Sequence, residues 1–170
     1  SRSEKELVQM LLAQFQEEQS AIRSLTQQSP SLLSMLSEGI TEDFPITEPE
    51  EMLSDLQSRM INDFPVSNPT PSFTVKDVVP SLEPYSAPAF YLTTPLGDSD
   101  NNVIYINRRN SPMGLELYTT LAHEGFPGHL YQTVYSNRVF LDKDMDPVRK
   151  LVWYGGYPEG WALYVEFIAY

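Results

Sequence analysis

Leu121-Ala122-His123-Glu124-Gly125-Phe126-Pro127-Gly128-His129-Leu130-Tyr131-Gln132 holds both histidines of the 170-residue chain. Hydrolytic zinc sites use two imidazoles, one carboxylate and an open position for water. Their helical version places the histidines four apart, with a Glu beside the first as general base. Here the spacing is six. On a straight α-helix six residues turn about 600° and rise about 9 Å, so the two rings would point roughly 120° apart. A shared site therefore requires a break between His123 and His129. The intervening residues suit one. Pro127 cannot donate to the helical ladder and clashes with the preceding turn. Gly125 and Gly128 accept backbone conformations that other residues resist. The competing reading is a helix-loop-helix junction with two incidental histidines.

A site of this kind needs a third ligand. The chain has no cysteine, so the ligands must be His, Asp or Glu. Pro158-Glu159-Gly160-Trp161-Ala162 offers Glu159, 30 residues after His129 and in the first turn of the last expected helix. An acid there also suits the helix dipole without any metal. Glu166 lies seven positions on, near the same face but about 10 Å further along. It reads as a partner behind the ligands or as a solvated side chain.

Outward from this stretch, Ser111-Pro112 predicts a helix start, and Leu115, Tyr118, Leu121 and Ala122 keep helical spacing into His123. Asp146-Pro147 opens another helix through Trp153, Gly155-Gly156 breaks it, and Pro158 opens the last, Glu159 to Ala169. Towards the N-terminus, Asn102 to Asn107 is the best strand. A turn over Gly97 to Asn101 allows it to pair with Ala89-Phe90-Tyr91-Leu92 as a hairpin, and Phe73-Thr74-Val75 is a further β-type run. Prolines scattered from Phe64 to Pro95 exclude a long helix. Before them, Ser3 with Glu6 fits a capping box for an amphipathic helix to Leu25 whose face carries Leu7, Leu11, Phe15, Ile22 and Leu25. Ser29-Pro30 restarts a short helix that Gly39 would end. Thr47 with Glu50 fits a second capping box, for a helix to about Asn62. The expected fold is mainly α with a small β-hairpin or sheet (α+β), in two parts: a helical segment, 1–63, and a site-bearing core, 64–170.

Composition narrows the partners. A net charge of −12 argues against nucleic acid or an anionic membrane. No apolar run reaches the length of a membrane span, and Ser1 to Leu12 lacks the pattern of a signal peptide. An apolar content of 41% is enough for a packed core.

The stretch Leu121 to Gln132 resembles the signature His-Glu-x-x-Pro-Gly-His of the bacterial domain-of-unknown-function 885 family. Tyr157-Pro158-Glu159-Gly160-Trp161-Ala162-Leu163-Tyr164 is similar to that family's second block, Glu-Gly-Trp-Ala-x-Tyr. The resemblance covers roughly Tyr91 to Tyr170. It implies a zincin-like metallopeptidase core with His123, His129 and Glu159 as Zn2+ ligands and Glu124 as catalytic base. It also implies a protein that is secreted or lipid-anchored. Two departures stand out. Leu130 occupies a position where members often carry another His. Members are also several times longer, so the core is expected to be incomplete and, alone, a poor enzyme.

The expected chemistry is metal-assisted hydrolysis of a peptide substrate, with Glu124 moving the proton. The strand Asn102 to Asn107 is expected to align the peptide by β-augmentation. Tyr154, Tyr157 and Tyr164 are candidates to stabilise the oxyanion. The rivals are a non-enzymatic binding or scaffold domain, and a metal hydrolase of an ester or non-peptide amide.

Overall fold

The computed structural model describes residues 2–38, 44–95, 98, 100–143, 146, 148, 152 and 154–170. The chain divides into two compact units, Ser1–Glu42 and Asp43–Tyr170. The first holds α1 (Glu4–Gln28) and α2 (Ser31–Glu38). The expected capping box forms: Ser3 Oγ accepts from the Glu6 N–H, and Glu6 Oε2 accepts from the Ser3 N–H at 2.6 Å. No residue of α1 is buried, and Leu7, Leu11, Phe15, Ile22 and Leu25 are exposed on it. The stop expected at Gly39 lies outside the described residues.

The second unit begins with α3 (Pro49–Arg59), which continues as a 3-10 turn over Met60–Asn62. The second capping box does not form. The N-cap is Glu48, without a side-chain bond, and Pro49 opens the helix with its pre-set φ. The boundary expected at 63/64 also differs from the division observed. Met52, Leu53 and Leu56 of α3 are buried in the core of the second unit, so α3 belongs with the site-bearing part.

A three-stranded sheet follows, with β1 (Thr74–Asp77), β2 (Ala89–Leu92) and β3 (Val103–Ile106) in the order β1-β3-β2. The expected hairpin is present: β2 runs antiparallel to β3, with Tyr91 opposite Ile104. β1 joins the other side of β3 in parallel, with Val75 opposite Ile104. β3 is therefore central and has no free edge, which corrects the expectation that it aligns a peptide. The cause is burial. Ile104 and Ile106 are fully buried, and a strand so apolar gains most in the middle of a sheet.

Then come α4 (Gly114–Glu124), α5 (His129–Asp142) and α6 (Gly156–Ala169). Ser111 does not cap α4. Its hydroxyl turns to Pro112 O, and Gly114 at φ +60° sets the entry instead, with Met113 as N-cap. The helix expected over Asp146 to Trp153 lies largely outside the described residues, as does part of the turn at Gly97. α4 is the central element of this unit. Leu117, Tyr118, Leu121 and Ala122 are buried with residues of α3, β2 and β3, and α6 packs on it through Ala162 and Val165. Each large apolar side chain fully buried here contributes about 1.5–3 kcal/mol. Among the described residues, no helix is long and apolar enough to cross a membrane.

Candidate metal centre

The break between the two histidines is where the spacing requires it. α4 ends at Glu124 and α5 begins at His129. The Gly125 N–H closes α4 on Leu121 O at 2.8 Å, the Tyr131 N–H returns to Gly125 O at 3.2 Å, and the Gln132 N–H meets Gly128 O at 2.9 Å. Phe126 points into the core and is fully buried, with its ring 5.6 Å from that of Phe73. The loop folds back so tightly that a Cβ on Gly128 would lie 1.8 Å from His123 O. This close approach carries His129 across to His123.

The two imidazoles meet edge to face, with ring centroids 4.6 Å apart and planes at 90°. α6 adds Glu159 from its first turn. Its Oε2 lies 3.6 Å from His123 Nε2 and 3.6 Å from His129 Nε2. One ligand atom from each of His123, His129 and Glu159 falls within 4.8 Å of the others. Glu124 stands beside them, with Oε1 3.9 Å from His123 Nε2. Its other oxygen, Oε2, accepts from the Tyr91 N–H of β2 at 2.8 Å, so one oxygen is held and the other faces the cluster.

Burial pushes the Glu124 carboxyl above its ordinary value, against the Tyr91 N–H and the nearby His123, which favour the charged form. Burial, then the neighbouring His123, hold the His129 imidazole below its ordinary value against the pull of Glu159. Metal ligands of this type must be unprotonated imidazoles, so the donor set suits a borderline-soft divalent cation such as zinc.

Three contributors escaped the sequence reading or were left open by it. Glu166 accepts a hydrogen bond from His123 Nδ1, and its position two helical turns beyond Glu159 was the only sequence signal. Trp161 Nε1–H donates to Pro127 O at 2.8 Å and ties the loop to α6. The Tyr91 N–H had no signal, because it is backbone. Tyr154, Tyr157 and Tyr164 are exposed, and among the described residues no hydrogen bond or ring contact joins them to His123, His129 or Glu159. Cavities among the described residues lie elsewhere, including one of about 560 Å³ bounded by Asp55, Tyr118 and Ile168 and one of about 330 Å³ bounded by Tyr131, Gln132 and Trp161.

Trp161→Phe keeps an aromatic ring but removes the N–H together with the five-membered part of the indole. The lost hydrogen bond is expected to cost about 1 kcal/mol, and the smaller ring adds to that cost because Trp161 packs on the core. Zinc affinity is expected to drop because the loop carrying His129 loses its tie. Chemical denaturation and metal titration check both. Unchanged zinc affinity would show that the loop is held without α6.

The fold and the cluster together define a mainly helical chain with a small sheet and a three-donor site built at a broken helix. The chain belongs to the family described as "Bacterial protein of unknown function (DUF885)", which matches residues 2–170. Among solved structures, one described as a "putative lipoprotein" from Colwellia psychrerythraea is similar at a TM-score of 0.61 and 23% identity. The match covers 80% of this chain and 27% of that one, so this chain spans about a quarter of the neighbour's length. The likeness concerns the fold. Among curated proteins none matches.

Proposed function

We propose that this chain carries the zinc site and general base of a metal-dependent peptide hydrolase. The observation that carries the proposal is the convergence of His123 Nε2, His129 Nε2 and a Glu159 oxygen within 4.8 Å. Three such side chains within reach of one point suit a shared divalent cation. When bound, zinc polarises a water and lowers its pKa towards about 7.

The chain's own residues supply the rest. His123, His129 and Glu159 would supply three ligands of a four-coordinate ion and so leave one place for water. Glu159, whose side chain is 59% exposed, stands on the solvent side of the cluster. Glu124 Oε1 takes the proton of the attacking water and passes it to the leaving nitrogen as the C–N bond breaks. Oε2, fixed by the Tyr91 N–H, keeps the carboxylate aimed.

The edge that suits an extended peptide is β2 and not β3. The Asn107 N–H bonds to Pro88 O at 2.8 Å. In the antiparallel pattern this turns the backbone groups of Ala89 and Tyr91 away from β3. The Tyr91 N–H is taken by Glu124, which leaves the Ala89 groups and the Tyr91 C=O for a peptide. The same edge touches Glu124, so a peptide added to it passes the base. The neighbour's description as a "putative lipoprotein" supports an extracytoplasmic site of action.

The test is metal analysis of the purified chain, followed by peptide-library digestion with the longest available form of the protein. One equivalent of zinc is expected per chain, and none after His123→Ala or His129→Ala. Failure to bind zinc would leave a non-enzymatic fold. Zinc binding with hydrolysis of esters only would move the substrate class.

A further inference from the structure

His123 lies between two carboxylates of one helix. Glu159 and Glu166 stand seven residues apart on α6, close to one face and about 10 Å apart along the axis. Glu159 Oε2 faces Nε2 of the ring at 3.6 Å, and Glu166 Oε1 is hydrogen-bonded to Nδ1. An ionised carboxylate has no proton to give, so the hydrogen of this bond sits on Nδ1. In the neutral ring Nε2 then carries a lone pair, directed towards Glu159 and His129.

We infer that Glu166 is the positioning residue of the centre: by accepting the Nδ1–H it selects the tautomer and orientation in which His123 Nε2 offers a lone pair to a divalent cation. The inference rests on the metal-site reading above. Imidazoles that ligate metals are widely held by such a partner on the far nitrogen. Here that partner comes from 43 residues away in the chain and is delivered by the docking of α6 on α4. One helix therefore brings both a ligand and the group that sets the tautomer of a second ligand. Glu159 alone would reach the cluster without specifying which nitrogen of His123 is free.

Two substitutions of similar length separate the acceptor from its bulk. Glu166→Gln keeps an acceptor oxygen and Glu166→Met removes it. The chain has only two histidines, so ring signals are assigned with His129→Gln. In metal-free, 15N-labelled protein at about pH 8.5, above the ordinary imidazole range, wild type and E166Q are expected to show the His123 proton on Nδ1. E166M is expected to show it on Nε2. Zinc affinity, read by chelator competition, is expected to fall about 10–100-fold in E166M and less in E166Q.

An Nδ1–H ring retained in E166M overturns the proposal, whether or not zinc binds. So does a tautomer switch with unchanged zinc affinity. The expected switch in a wild-type background that takes up no zinc upholds the positioning of the ring and sinks the metal reading instead. If E166M does not fold, Glu166→Ala carries the test. An Nδ1–H ring retained there overturns the proposal. A switch to Nε2–H with a fall in zinc affinity of about tenfold or more supports it.

Discussion

In the longest available form of the protein, Glu124→Gln is expected to leave zinc bound and, on the function proposed above, to lower peptide hydrolysis about 10²–10⁴-fold. The geometry explains why the loss is chemical and not structural. Glu124 Oε2 accepts from the Tyr91 N–H, and a Gln oxygen can take over that bond. The amide nitrogen then replaces Oε1 beside His123 Nε2. It has no lone pair free to accept the water's proton. His123, His129 and Glu159 are untouched, so the metal site persists. Zinc content and turnover measured on one sample decide the matter. Loss of metal together with activity would make Glu124 a ligand. Retained activity would remove it as the base.

Gly128→Ala is expected to cost about 3 kcal/mol or more and to abolish high-affinity zinc binding. The added Cβ would meet His123 O at 1.8 Å, Ala122 O at 2.3 Å and His123 C at 2.4 Å. All three are backbone atoms of the last turn of α4, so no rotamer relieves the clash. The loop must swing away, and it carries His129 with it. Gly160→Ala is the internal control. A Cβ there meets nothing within 4 Å, and in the interior of α6 the change should stabilise by about 0.5–1 kcal/mol. Urea unfolding and zinc titration of the two variants provide the contrast. Equal unfolding midpoints would show that the return of the loop onto α4 is not tight.

The readable features were those decided within a few residues of the chain. The six-residue spacing of His123 and His129, with Gly125, Pro127 and Gly128 between them, is incompatible with a continuous helix, and the break is present. Ser3 and Glu6 cap α1 because both partners lie in one turn. The β2–β3 hairpin follows from two apolar runs on either side of a turn-forming segment. Where two local signals competed, the one that fixes the backbone dihedrals prevailed. Ser111-Pro112 reads as a helix start, but Gly114 redirects the entry. Thr47 with Glu50 reads as a capping box, but Pro49 at the first helical position opens the helix with Glu48 as cap.

Tertiary structure decided what depends on distant partners. The sequence specified β3 as a strand. Only the parallel arrival of β1 made it central and left β1 and β2 as the edges. The sequence placed Glu166 near one face of α6 with Glu159, and only the docking of α6 on α4 set the two acids at opposite nitrogens of one imidazole. The backbone N–H of Tyr91 became a support for Glu124 through a contact spanning 33 residues. In each case the chain itself carries the chemistry of the group. Its partner is chosen by which apolar faces pack together, and that choice is made over the whole core, beyond the reach of any local pattern.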